Sequence, residues 1–439
     1  MFASLARAYI VYPLCERYEG REIRSKLSRL RDVMRQPYGL RRRQQEEALA
    51  HSAQRAAVDV PYYRDLFSSI GFDPVRLTLD VKWLQDIPFL TKEIVREQGH
   101  RLLSERLAPN GRHERKTGGS TGLSALFYYS AEALDWSAAA HFLAYEWTGK
   151  FRHHREIHLS SRFPESFPLR DRLKEWVKCQ AMNRVNVTTH AFDDQGLEDS
   201  WRQIRKVRPG LLQGHPSTIT ALARYVERSA GLSHGCISRI QCTGEILTDT
   251  QRDTMERVFG ARVFNSYGNA ELGVIAQQTH PSQTAGLRVI DPMAWVEEDQ
   301  GEIVASNLTN PLMPLLRYRC GDLGKVSEQA DGRYIHSIVG RIHDVVTIGD
   351  RSYPTHYLQD LLDRLGGIED FQLQQLPDGC LRIRMIVPHQ PHQEGLRQRL
   401  QSWWGDKVTA EFITPADIVR VGWRGKFRYL IPEDQDAIR

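Results

Sequence analysis

Five stretches of the 439-residue chain bring together residue types that can do chemistry. In RKTGGSTGLSALFYYS, residues 115–130, Gly118, Gly119 and Gly122 permit φ angles denied to other residues and let backbone N–H groups converge on an anion. The hydroxyls of Thr117, Ser120 and Thr121 add side-chain donors, so the loop suits a polyphosphate; its alternative is a plain hairpin connection. It has neither the G-x-x-x-x-G-K-[ST] arrangement nor a G-x-G-x-x-G opening a helix. NSYGNAELG sets Glu271 four residues beyond Tyr267, with Gly268 and Asn269 between them, where a loop after a predicted strand presents an aromatic and a carboxylate to a nucleotide. In YRCGDLGKV, Asp322 follows a glycine, and an Asp in such a turn can accept hydrogen bonds from two neighbouring ribose hydroxyls. GRIHD offers Arg341, and VGWRGKFRYL offers Lys426 in a glycine-flanked turn. Taken singly, Glu271 and Asp322 also read as turn or surface carboxylates, and Lys426 as a surface lysine.

The elements that must position these residues alternate along the chain. A charged helical preamble runs from 22 to 57, broken by VPYYRDLF, and Thr91 is the expected N-cap of a helix in TKEIVREQ. After the glycine loop, ALFYYS reads as a strand, and Ser130 caps the helix AEALDWSAAAHFLAYEW. LLQG reads as a strand leading into PSTITALARYVERS, whose Ile219, Leu222, Ala223 and Val226 share a helical face. ISRIQCTGE is a strand and turn, Thr248 with Gln251 forms a capping box, and ARVFNSYG is a further strand. This β-α-β-α rhythm over 115–275 predicts a largely parallel sheet with ligands at its strand ends. From 285 to 340, GEIVASNL, LLRYRCGDLGKV and GRYIHSIVG predict antiparallel strands in a small sheet or barrel. Beyond a boundary near Gly340, a helix in PTHYLQDLLDRLGG, a hairpin of FQLQQL and CLRIRMIVP, and a helix in EGLRQRLQSWW form a compact α+β unit.

Composition narrows the partners. A formal charge of +5 suits an anionic substrate but is too mild for nucleic acid, and the basic clusters before residue 44 are mixed with acids at helical spacing, as solvated faces are. No apolar run approaches the roughly 20 residues of a membrane-spanning helix. The start MFASLARAYIVYPL is interrupted by Arg7 and lacks a basic n-region, so it reads as a helix docking on its own body, with peripheral contact to a membrane surface as the alternative. Six scattered cysteines predict reduced thiols and a cytoplasmic location.

Together the five stretches, in order, resemble the adenylate-forming superfamily of acyl-CoA synthetases, peptide-synthetase adenylation domains and luciferases. The nearest branch is phenylacetate-CoA ligase-like or CapK-like, and LRDVMRQPYGLRRRQQEEALAHSAQRAAVDVPYYRDLF with IPFLTKEIVRE is similar to its entry region. The resemblance implies that KTGGSTG is the phosphate loop and that Tyr267, Gly268 and Glu271 form the Y-G-x-x-E motif, the aromatic bordering adenine and Glu271 holding Mg²⁺. It makes Asp322 the ribose ligand, Arg341 the start of the hinge motif, and Lys426 the mobile lysine acting during adenylation. By the same analogy the acyl pocket draws on His215 and Pro216 and on residues near Thr243, Gly244 and Glu245, the last two also bordering the nucleotide, although His215 also reads as a satisfied strand-end histidine. The expected fold is α/β: a large N-terminal domain, 1–340, with mainly parallel sheets plus a small antiparallel β subdomain, and a small mobile α+β C-terminal domain, 341–439. The expected cosubstrate is ATP with Mg²⁺; the acid is a small carboxylic acid, and the acceptor is CoA or an amine or hydroxyl of a glycan precursor. AMP transfer and a non-catalytic nucleotide-binding role remain alternatives. The sequence departs from the family at His343, where relatives commonly have an acid, and after Y-G-x-x-E, where only His280 remains of a Cys/His set, so no zinc is expected.

Overall fold

The computed structural model describes residues 2–107, 112–116, 125–160, 169–188, 194–282, 286–341, 345–349, 351–355, 358, 361, 362, 365, 367–421 and 426–431. The chain divides into two compact units: 1–118 with 124–153 and 264–338, and 119–123 with 154–263 and 339–439.

After a helical stretch from Phe2 to Tyr18, the first unit continues with helices Ile23–Arg35, Tyr38–Asp59 and Pro61–Ile70. VPYYRDLF, which reads as a break in the sequence, is the start of the third of these. Pro61 disfavours a helical conformation at Val60, which is extended at φ −118°, and its own fixed φ then suits the first helical position. Ser130 and Thr91 cap their helices as expected, each hydroxyl accepting from a backbone N–H three residues on. Antiparallel strands follow in the spatial order Ala294–Asp299, Glu302–Asn307, Tyr318–Gln329, Gly332–Arg341, Leu287–Val289, Gly273–Gln278, Arg262–Asn269. The antiparallel set therefore reaches back through 262–278, further than the residues from 285 onwards that alternation marks. Gly273–Gln278 is buried at every position and so has no alternation to announce it.

Helix Tyr38–Asp59 is fixed to these strands by an ion pair with no access to water. Arg41 Nε donates to Asp291 at 2.7 Å, and its other nitrogens donate to the carbonyls of Gln36 at 2.6 Å and Asp331 at 2.7 Å. Gln45 adds bonds to the carbonyls of Asp291 and Ala294 at 2.9 and 2.8 Å. Arg41→Met is expected to cost about 3–5 kcal/mol, because it leaves the Asp291 carboxylate buried without its counter-charge. Urea unfolding checks this, and a midpoint equal to that of the wild type would remove the pair from the stabilising set.

The second unit holds parallel strands in the order Arg239–Thr243, Leu211–Gly214, Glu156–Ser160, Arg184–Thr188. Helices Asp194–Val207, Pro216–Ala230 and Asp249–Phe259 contribute Trp201, Ile219, Leu222, Val226 and Met255 to its core. Thr248 and Gln251 form both bonds of the expected capping box. Its C-terminal part pairs Asp370–Gln375 with Leu381–Ile386 antiparallel, as the sequence suggests, and flanks them with Leu430–Ile431 and Val408–Phe412 in parallel. The whole is α/β with one large set of strands and smaller sheets, the expected fold class.

Candidate active site

In the first unit the Tyr267–Glu271 segment is a strand end forced into a tight shape. Strand Arg262–Asn269 pairs with Gly273–Gln278, and the register shifts between Tyr267 and Gly268. At that irregularity the backbones approach so closely that a Cβ on Gly268 would lie 2.4 Å from the Gly273 carbonyl oxygen. Glycine is required there for space. Asn269 then closes the turn, its side-chain oxygen accepting from Leu272 N at 2.8 Å.

This shape brings the motif residues onto partners distant in sequence. The Tyr267 hydroxyl donates to Asp322 Oδ2 at 2.8 Å. Burial first, and the Asp322 charge second, push the Tyr267 phenol well above its ordinary pKa, so it remains a donor throughout the working pH range. Asp322 follows Gly321, whose φ of +74° suits glycine. Tyr318 brings its hydroxyl to 3.5 Å from Glu271 Oε1. The Cys320 thiol is pushed well above its usual range by burial and then by the charges of Asp322 and Glu271.

Residues that sequence reasoning missed bind the glycine loop's flanks to this turn. Strands His113–Lys116 and Leu126–Tyr129 pair antiparallel on either side of the loop, Arg115 opposite Phe127. The Tyr129 hydroxyl donates to the Ala270 carbonyl at 2.6 Å, inside the Tyr267–Glu271 segment, and the Arg115 guanidinium lies 4.5 Å over the Tyr129 ring. The FYYS run carries no sign of this beyond its strand character. Thr117, Gly118, Gly119, Ser120, Thr121 and Gly122 lie outside the described residues.

In the second unit, His215 Nδ1 sits 2.9 Å from the Thr243 carbonyl oxygen. A carbonyl only accepts, so Nδ1 carries the proton. Gly244 has φ +80°, and Glu245 accepts from Ser217 N at 3.2 Å in the first turn of helix Pro216–Ala230, where a carboxylate favours the helix dipole. Pro216 is buried at the first position of that helix. Thus 215, 216, 243, 244 and 245 do gather at adjoining strand ends. Arg341 ends strand Gly332–Arg341, and Lys426 begins Lys426–Phe427, paired antiparallel with Arg420–Val421; their side chains lie outside the described residues. Gln372, fully buried, holds the chain on both sides of that hairpin, with bonds to the Val419 and Arg428 carbonyls at 2.7 and 2.9 Å and from Val419 N at 2.8 Å. His343 lies outside the described residues.

Comparison with known proteins adds the fold-level finding. The structure of 2-hydroxyisobutyryl-CoA ligase, in the postadenylation state with an acyl-AMP, superposes at TM-score 0.69 with 18% identity, covering 90% of each chain. The chain has the adenylate-forming ligase fold. Three curated relatives are similar in sequence, and they mark the phenylacetate-CoA ligase-like and CapK-like branch of that superfamily. Protein CapK of Staphylococcus aureus is 23% identical over 308 residues, 67% of this chain and 66% of that protein. Indoleacetate–lysine synthetase of Pseudomonas savastanoi is 28% identical over 138 residues, 31% of this chain and 34% of that one. Phenylacetate-coenzyme A ligase of Pseudomonas putida is 26% identical over 196 residues, 41% of this chain and 45% of that one. The matched stretches thus span less than two thirds of each relative's own length. No family model matches the chain. In the adenylate-forming fold seen here, Tyr267, Glu271 and Asp322 share one constellation, with Tyr129 fastening the loop-bearing hairpin to it.

Proposed function

We propose that this chain activates a carboxylic acid with ATP, forming an acyl-adenylate and pyrophosphate, and then passes the acyl group to coenzyme A. The observation that carries this reading is the Tyr267–Asp322 hydrogen bond at 2.8 Å, which unites an aromatic and a carboxylate 55 residues apart in the chain beside Glu271. Two features fit a nucleotide with its metal. The Asn269 Nδ2 donor is buried without a partner among the described residues, as suits an acceptor on a ligand. The Glu271 carboxylate, 3.5 Å from the Tyr318 hydroxyl, suits Mg²⁺, a cation held by one or two carboxylates and substrate phosphates.

In the reaction a carboxylate oxygen bonds to the α-phosphorus of ATP, the bond from that phosphorus to the bridging oxygen breaks, and pyrophosphate leaves with the electron pair. Glu271 is the residue that would hold Mg²⁺, which supplies positive charge against the repulsion of two anions. Asp322 accepts from the ribose hydroxyls while one of its oxygens keeps the Tyr267 ring in place beside adenine. Lys426 supplies charge to the transition state, and Arg341 joins at the ribose. The donors of Thr117, Ser120 and Thr121, with the backbone between Gly118 and Gly122, hold the β- and γ-phosphates. His215, Pro216 and Thr243 line the acyl side, and Gly244 and Glu245 border the nucleotide. After adenylation the domain 341–439 swings about its hinge near Gly340 to open the thioester-forming face.

A second reading, acyl transfer to an amine or hydroxyl of a glycan precursor, draws on the CapK-like resemblance and on the second relative's name, indoleacetate–lysine synthetase, which joins an acid to an amine-bearing molecule. Mass spectrometry tests both. With ATP, Mg²⁺ and the correct acid an acyl-AMP accumulates; CoA converts it to a thioester in the first reading, and an amine or sugar acceptor gives an amide or ester in the second. Failure of any acyl-AMP to appear with any acid sinks both. Asp322→Ala is expected to weaken ATP binding about 10- to 150-fold, the equivalent of roughly 1.5–3 kcal/mol for a charge-assisted bond. Calorimetric affinity equal to the wild type would remove Asp322 from the site.

A further inference from the structure

The helical stretch from Phe2 to Tyr18 buries one face and exposes a second, apolar one. Ala8, Tyr12 and Glu16, spaced by four, are buried; Tyr12 meets Phe142 edge-on at 5.8 Å, and the Arg152 guanidinium lies 3.7 Å over its ring. That face docks on the body of the first unit, as the sequence suggests. Offset by two, Ile10, Leu14 and Tyr18 repeat the same spacing on the other side and are 59%, 63% and 93% exposed. Exposed Phe151, stacked with His153, which in turn meets Tyr9, extends the apolar patch. A surface helix that faces water carries polar residues outward, so this outer face is built for something other than water.

Charge says what covers it. Residues 1–43 hold eleven Lys and Arg against four acids, a net +7; Arg21, Arg31 and Arg41 pair with Asp135, Glu146 and Asp291 outside that segment, and setting these three aside leaves +4. Arg7 and Arg17, on the helix itself, have no acidic partner among the described residues. A second copy would bring the same positive surface against this one and be repelled. No described helix is long and apolar enough to cross a membrane, which leaves a helix lying in the interface plane. We propose that this face docks on an anionic lipid surface, with Ile10, Leu14 and Tyr18 entering the acyl boundary and Arg7 and Arg17 reaching lipid phosphates.

Flotation of the full chain with vesicles tests this. Recovery with phosphatidylcholine vesicles containing phosphatidylglycerol is expected to exceed recovery with phosphatidylcholine alone, and to fall as salt is raised. Arg7→Ser with Arg17→Ser is expected to lower partitioning by about tenfold or more. Ile10→Ser with Leu14→Ser is expected to abolish it while thermal unfolding and ATP affinity stay at wild-type values. The proposal is overturned by no flotation of the wild type on either vesicle, or by binding that neither salt nor the serine pair at 10 and 14 reduces. A dimer in ultracentrifugation that this pair dissolves, without flotation, also overturns it.

Discussion

Lys426→Ala is expected to lower ATP–pyrophosphate exchange by about 10²–10³-fold while ATP affinity stays unchanged. The reason lies in where charge develops. In the proposed reaction the ground-state phosphates would already be neutralised by metal and loop donors, whereas the five-coordinate transition state would add the incoming carboxylate's charge to the α-phosphate. A lysine that serves that moment contributes to the rate and not to the dissociation constant. The fold prepares for this by holding the hairpin Arg420–Val421 and Lys426–Phe427 at its base through Gln372, a buried amide that bonds the chain before and after it. Exchange kinetics beside ATP calorimetry separate the two effects. Equal losses in both would make Lys426 a ground-state ligand and contradict the assigned role.

Gly268→Ala is expected to damage stability and nucleotide binding together. The added Cβ would sit 2.4 Å from the Gly273 carbonyl oxygen, 2.9 Å from Val274 Cα and 3.1 Å from Gly273 C. All three are backbone atoms, so no side-chain rotation relieves the contact, and the pairing between Arg262–Asn269 and Gly273–Gln278 must open. Overpacking of this kind costs about 1–3 kcal/mol. The displaced strand end carries Tyr267 and Glu271 with it, so ATP affinity is expected to fall by about tenfold or more, at roughly 1.4 kcal/mol per decade. Urea unfolding and calorimetry on the same sample check both parts. Wild-type behaviour in either would show that the glycine is not needed for space.

Local signals were plain wherever one residue decides a local bond. Ser130, Thr91 and the Thr248–Gln251 box are examples, because a cap needs only an oxygen three residues before an N–H. VPYYRDLF misled because proline breaks one helix and begins the next with the same ring. The candidate site was proposed from residue types and order, with Tyr267, Glu271 and Asp322 read as suited to nucleotide chemistry, but nothing in the sequence says that the first and third are bonded to each other. Tyr129, Arg115 and Gln372 gave no signal, since each acts through a tertiary contact, and a tyrosine in a strand or a glutamine in a hairpin is ordinary until its partner is known. The substrate's identity is written in a pocket surface, and surface shape has no residue period to read.

The most direct measurement is ATP–pyrophosphate exchange by the wild-type chain across aryl, fatty, hydroxy and amino acids, with Mg²⁺ present and no thiol or amine acceptor. Acid-dependent exchange confined to one class is the expected result, and it would establish adenylation and name the donor. ATP binding without exchange for any acid would contradict it and leave Tyr267, Glu271 and Asp322 as a nucleotide-holding site without this chemistry.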